Sequence, residues 1–171
     1  MKSALARRIR LLALDVDGVL TDGSVTYSSA GEELKSFNIK DGVGIKLLQR
    51  AGIEVAIITG RSSPMVERRA QELGIGTILQ GREDKLTALR ELCAERSLTL
   101  EECAYMGDDL PDLAAIRAAG VGLTVADAVV AVSDAADWCA SRDGGAGAVR
   151  EACEALLEAR GQRAELEAGY A

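Results

Sequence analysis

The sequence predicts a single α/β domain: a doubly wound, mainly parallel sheet flanked by helices. Three observations carry that expectation. Short apolar runs of strand length alternate with stretches whose apolar residues recur at helical spacing, the pattern of strands joined by helical crossovers. Residues 53–59 (IEVAIIT) are apolar nearly throughout, which suits a strand covered on both faces. Two apolar runs end in acidic clusters, at Asp15 and Asp17 and at Asp108, Asp109 and Asp112, and strand ends are where such sheets hold ligands.

Composition bounds the answer. At 171 residues, 48% of them hydrophobic, the chain can bury a core without metal or disulfide staples, and its few aromatics imply a core of Ala, Val, Leu and Ile. A formal net charge of −7 sets the surface against a nucleic-acid backbone or an anionic membrane. Cys93, Cys103, Cys139 and Cys153 form no CxxC pair, and no histidine completes a zinc set, so free thiols in a reducing cytoplasm are expected. The basic N-terminus leads into an apolar run broken at Asp15, which is neither a signal peptide nor a membrane span.

Taken in order, residues 11–23 (LLALDVDGVLTDG) read as a buried strand ending in a turn. Strand alternation puts Asp15 and Asp17 on one side, where two anions repel unless a cation or a shared proton offsets them. The pair therefore implies a metal. A plain closing turn accounts for Asp17-Gly18 alone. Residues 23–38 read as a hairpin, with Val25 and Tyr27 alternating against polar neighbours and a turn at residues 28–31. About 15 residues is too few for a separate domain, so this insertion is a ribbon or an assembly flap.

Residues 41–51 predict a helix stopped at Gly52, and 53–59 a strand that ends at Thr59-Gly60-Arg61 before a helix opened by Ser63-Pro64. A hydroxyl and free amides at such a junction can hold a phosphate. A short strand at 77–79 precedes Lys85, a cation at a helix start, where the dipole disfavours it unless an anion is near. Residues 99–102 predict a capping box, and 103–106 a strand running into Gly107, Asp108, Asp109 and Asp112, an oxygen-rich loop of hard-cation character. Residues 121–125 predict a strand, 127–136 a helix and 138–139 a last short strand. A turn with glycines at 144, 145 and 147 then leads into a helix through about residue 160, and the charged tail 161–171 is expected to lack order.

The run DVDGVLTDG at 15–23 resembles the first motif of the haloacid dehalogenase-like phosphatases, DxDGxxTDG. Thr59-Gly60, Lys85 and the GDDxxD of residues 107–112 fall where that family has its second, third and fourth motifs, so the resemblance spans most of residues 1–160 as one domain. It implies a Rossmann-like core, and with no room for a cap domain it implies the family's capless branch. Asp15 is then the nucleophile and Asp17 the acid and base, with its pKa raised by crowding from other carboxylates. Mg²⁺ is held by Asp15, the Asp17 main-chain carbonyl and Asp108, while Asp109 and Asp112 are further ligands, act through water, or orient the ligands from behind. Thr59, Gly60 and Lys85 hold the phosphate.

The capless branch is typically tetrameric, which implies a homotetramer whose site is completed by a neighbouring subunit. Arg61, Arg142 and Gly145 are then candidates for the sugar, because guanidinium suits a carboxylate. The expected substrate is an acidic sugar phosphate, 3-deoxy-D-manno-octulosonate 8-phosphate first, in lipopolysaccharide-precursor synthesis; a nine-carbon keto-acid phosphate or broad sugar phosphates are the alternatives. From another class, a phospho-receiver module also combines acidic residues, Thr and Lys on a parallel sheet. It takes phosphate on an aspartate ending a central strand, whereas here the full motif sits on the first.

Overall fold

A computed structural model describes residues 3–170. The elements in chain order are α1 (Ser3–Ala6), β1 (Leu11–Leu14), β2 (Thr26–Tyr27), β3 (Glu33–Leu34), α2 (Ile39–Arg50), β4 (Glu54–Ile58), α3 (Pro64–Leu73), β5 (Thr77–Leu79), α4 (Lys85–Glu95), β6 (Cys103–Met106), α5 (Leu113–Ala118), β7 (Val121–Thr124), α6 (Val130–Ser133), β8 (Trp138–Cys139), α7 (Ala148–Ala159) and α8 (Arg163–Ala168). Six strands form one parallel sheet in the order β5-β4-β1-β6-β7-β8, and β2 pairs with β3 in a separate antiparallel ribbon. First in sequence, β1 lies inside the sheet, with Leu12 beside both Val55 and Ala104. Position in the sheet therefore does not separate this chain from a receiver; its motifs must.

The strands are apolar on both sides because both sides are covered. Leu12 and Leu14 of β1 join one cluster with Ile45 and Leu48 of α2, Ala70 and Leu73 of α3, and Ala152 and Leu156 of α7. Leu11 and Ala13 point the other way, into a cluster with Leu89 and Leu92 of α4 and Ile116 of α5. Alternation along one strand thus serves two cores, the arrangement expected of a parallel sheet between helical layers.

Local signals set the helix ends. Asn38 caps α2 by accepting the Lys40 N–H at 2.9 Å. Pro64 opens α3, but the expected Ser63 cap is not made: its buried hydroxyl has no partner, while its N–H donates to Gln80 Oε1 at 2.7 Å. The helix predicted over 127–136 shrinks to α6, because Asp127, placed to cap it, instead accepts the Gly144 N–H at 2.9 Å. The tail expected to lack order forms α8, tied to α7 by Arg163, whose guanidinium reaches Glu154 at 3.1 Å and Glu167 at 2.9 Å. Beyond it the Tyr170 ring stacks under the Arg50 guanidinium at 5.1 Å.

Candidate active site

The two acidic clusters meet where β1 and β6 lie side by side. The Asp15 N–H donates to the Met106 carbonyl at 3.0 Å, which extends the ladder one residue past the strands and sets Asp15 at their carboxyl end. The turn behind it winds about the Val16 carbonyl, which accepts from the N–H groups of Val19, Leu20 and Thr21 at 3.2, 2.9 and 3.0 Å. Gly18 takes a positive φ of +89° there, and a Cβ on it would lie 2.1 Å from Asp108 Oδ2. That glycine serves both the left-handed turn and the close approach of the second cluster.

Lys85 links the clusters. Its ammonium lies 2.6 Å from Asp15 Oδ2 and 2.7 Å from Asp112 Oδ1, with all three side chains almost wholly buried. Asp112 is saturated: Oδ1 also accepts the Tyr105 hydroxyl at 2.8 Å, and Oδ2 accepts the N–H groups of Asp108 and Asp109 at 3.1 and 3.3 Å. Gly107 makes room, since a Cβ there would lie 2.3 Å from the Asp112 Cβ. Asp112 is therefore the organiser of the loop, and Asp109, which is exposed, caps the short turn 110–112 by accepting the Leu110 N–H at 2.7 Å.

This crowding tells on the free carboxylates. Burial, reinforced by the Asp112 charge, pushes Asp15 up to about 6 even though Lys85 opposes it. Burial with Asp112 and Asp15 pushes Asp108 up to about 7. Burial alone would lower the Lys85 ammonium, but Asp15 and Asp112 more than offset it and hold it above its ordinary value. Among the described residues, one buried oxygen of Asp15 and one of Asp108, Oδ1 in each, has no hydrogen-bond partner. Carboxylate oxygens of Asp15, Asp108 and Asp112 all lie within 4.8 Å of one another. Oxygen donors, excess negative charge and unpartnered buried acceptors fit a hard divalent cation. Asp15 and Asp108 supply the free oxygens, and Asp112 holds them in place.

The cleft above has a volume of about 710 Å³. Asp15, Asp17, Thr59, Gly60, Arg61, Lys85, Asp108, Asp109 and Asp112 line it. Sequence-predicted residues from four separate segments thus converge. Asp17 is an exception to the expected surroundings. Among the described residues its carboxylate is in direct contact with the Lys35 ammonium and faces Arg61 Nε at 3.9 Å, the two cations it shares with Glu33. The crowding falls on Asp15 and Asp108 instead.

Arg142 and Gly145 are not brought to this cleft within one chain. Arg142 lines a second cleft with Lys40 and Arg150. Gly145 underpins the first motif: its N–H donates to the Val19 carbonyl at 3.0 Å, and a Cβ on it would meet Asp22 N at 2.6 Å. Three contributors escaped the sequence reading. Tyr105 is spelled like any core aromatic, and Glu33 and Lys35 like a solvated ribbon; only the fold shows that they face the site.

A family profile described as haloacid dehalogenase-like hydrolase matches residues 38–120. The 3-deoxy-D-manno-octulosonate 8-phosphate phosphatase of Haemophilus influenzae is 45% identical over 154 residues, 90% of this chain and 86% of that protein. The chain belongs to the haloacid dehalogenase-like hydrolases. Among solved structures, the 3-deoxy-D-manno-octulosonate 8-phosphate phosphatase of Moraxella catarrhalis, in complex with magnesium ion, phosphate ion and KDO, superposes with a TM-score of 0.97 at 47% identity, covering 99% of this chain and 97% of that one. A cobalt-bound form of the Haemophilus influenzae phosphatase gives a TM-score of 0.89 at 43% identity, with 93% of each chain covered. As a haloacid dehalogenase-like hydrolase the chain is capless: only the β2–β3 ribbon stands between β1 and α2, where a cap would be inserted. Among the described residues no helix is long and apolar enough to cross a membrane.

Proposed function

We propose that this chain is a Mg²⁺-dependent phosphatase that hydrolyses 3-deoxy-D-manno-octulosonate 8-phosphate to 3-deoxy-D-manno-octulosonate and phosphate. The observation that carries the reading is Asp15 at the cleft floor, one oxygen held by Lys85 at 2.6 Å and the other buried without a partner. Relatives named for this substrate match nearly the whole chain, and one neighbour was solved with magnesium, phosphate and KDO together.

The chemistry follows from the residues. Asp15 attacks phosphorus in line, forming an aspartyl-phosphate as the bond to the sugar oxygen breaks. Asp17, at the cleft edge, gives its proton to that departing oxygen and then takes one from the water that hydrolyses the intermediate. Lys85 and the backbone and hydroxyl of the Thr59–Gly60 turn bind the phosphoryl oxygens, and the lysine holds Asp15 in line. Asp15, Asp108 and the Asp17 carbonyl would hold Mg²⁺, which would supply neutralisation of charge on the phosphate. Asp112 and Asp109 keep the Asp108 loop in shape. Arg61, on the cleft wall, faces the sugar.

Exposed apolar residues support assembly. Tyr27 and Leu34 on the ribbon and Ile39 at the start of α2 are 64%, 51% and 79% exposed, a patch that suits burial between copies in a homotetramer. Arg142 and Gly145 act across that assembly, which completes the site. Four free cysteines suit a cytoplasmic enzyme, working in lipopolysaccharide-precursor synthesis. The test is phosphate release from 3-deoxy-D-manno-octulosonate 8-phosphate. Release that needs Mg²⁺ and vanishes in Asp15→Asn is the expected result; release that survives the substitution would remove the nucleophile.

A further inference from the structure

The acidic residues of the site differ in what holds them. Lys85 fixes Asp15 at 2.6 Å, and Asp112 receives Lys85, the Tyr105 hydroxyl and two backbone N–H groups. Asp108 is packed against Gly18. All of these supports belong to the Rossmann-like core. Asp17 has none of them: among the described residues its carboxylate has two cationic neighbours and no hydrogen-bond donor from its own turn.

The nearer of the two neighbours comes from outside the core. Lys35 immediately follows β3, 18 residues along from Asp17, and its ammonium donates to Asp17 Oδ1. Although the ribbon is otherwise exposed, the Lys35 side chain is only 2% exposed, so the ammonium has been carried inward off the ribbon. Glu33 keeps it there, with Oε1 3.3 Å from the same ammonium. The other Glu33 oxygen takes Arg61 at 2.8 Å, and Arg61 Nε faces Asp17 Oδ2 at 3.9 Å. The four side chains close a ring of alternating charge, with two members from the ribbon, one from the first motif and one from the end of β4.

We infer that Lys35 is a positioning residue for catalysis, and that the β2–β3 ribbon, not the core, aims the Asp17 carboxylate at the departing oxygen. The inference rests on the proposed acid and base role of Asp17. A carboxylate held by one long-range ammonium loses its orientation when that ammonium is removed, because Arg61 at 3.9 Å is beyond hydrogen-bond reach. Among the described residues the Lys35 ammonium pairs with Asp17 and Glu33 and with no side chain of the hydrophobic core, so the variant is expected to fold.

The test compares Lys35→Met, Lys35→Arg and Asp17→Asn, alone and with Lys35→Met, on two esters. Lys35→Met should lower kcat on 3-deoxy-D-manno-octulosonate 8-phosphate by about 10- to 100-fold, part of what general acid and base catalysis supplies, with KM within about twofold. Lys35→Arg, which keeps a cation and donors, should recover most of it. On p-nitrophenyl phosphate, whose leaving group departs without a proton, the loss should shrink. In the Asp17→Asn background Lys35→Met should cost little more, since groups that act as a unit are not additive. An unchanged kcat, a change in KM alone, or an equal cost in both backgrounds overturns the inference. Failure of the unsubstituted enzyme to release phosphate from either ester would count against the proposed function instead.

Discussion

Gly18 and Asp108, 90 positions apart, occupy adjoining space: the hydrogen that stands in for a side chain on the first is what leaves room for the carboxylate of the second. A methyl group at residue 18 would sit 2.1 Å from Asp108 Oδ2, so Gly18→Ala must displace either the turn or the Asp108 carboxylate. The positive φ of +89° adds a backbone cost of about 1–2 kcal/mol for any side chain. The expected outcome is a folded protein whose Mg²⁺ affinity, read by calorimetry, falls at least about tenfold, with phosphate release falling in step. Unchanged affinity would mean that Asp108 is not a ligand.

Lys85 stands between two buried carboxylates, so its removal leaves both uncompensated. Lys85→Met is expected to destabilise the metal-free protein by about 3–5 kcal/mol, the usual cost of breaking a buried pair by deleting one partner. Chemical denaturation measures it. A loss of under about 1 kcal/mol would show that the ammonium is a surface charge, against its 2.6 and 2.7 Å contacts.

Stability and metal binding should depend on pH in a stated direction. Asp15 and Asp108 titrate at about 6 and about 7 in the folded protein, above the ordinary 3.8. The folded state therefore holds more protons than the unfolded one between these values. Stability from this source is full below pH 3.8 and is lost as pH rises through 6 and 7. A divalent cation needs both groups ionised, so its binding should release protons near pH 6. Melting curves with and without Mg²⁺ should differ more at pH 8 than at pH 5, and calorimetry in buffers of different ionisation enthalpy should show the released protons. An equal Mg²⁺ gain at both pH values would remove Asp15 and Asp108 from the metal site.

Most of the layered sheet was legible because each strand carries its own evidence. Residues 53–59 and 103–106 are apolar without a polar face, and a sheet covered on both sides asks for that. Asp15, Lys85 and Asp108 were legible because each is odd where it stands: carboxylates at strand ends, a cation at a helix start. Thr59 sits in a common kind of turn and was legible through the family resemblance, whose second motif falls there. For Asp112 an orienting task was one of the readings open in the sequence, but its partners were not, since its donors include a tyrosine on β6 and a lysine on α4. Lys35 was invisible because an alternating ribbon with a lysine is what any solvated edge looks like. The short α6 was misread as a longer helix because the cap residue it needed, Asp127, is engaged 17 positions downstream at Gly144. The ordered tail was hidden in charges that looked solvated and turn out to be paired across α7 and α8.

The glycine turn at 144–147 braces the first motif, and the Arg150 N–H at the head of α7 is received by Asp41 Oδ1 at 2.7 Å, across 109 positions of sequence. The first motif thus leans on residues far along the chain. A version cut before residue 144 keeps Asp15, Asp17, Asp108 and Asp112 but has neither the prop under the first motif nor the closing helix on that face. Such a truncation is expected to carry the full signature yet release no phosphate, which the same assay would check.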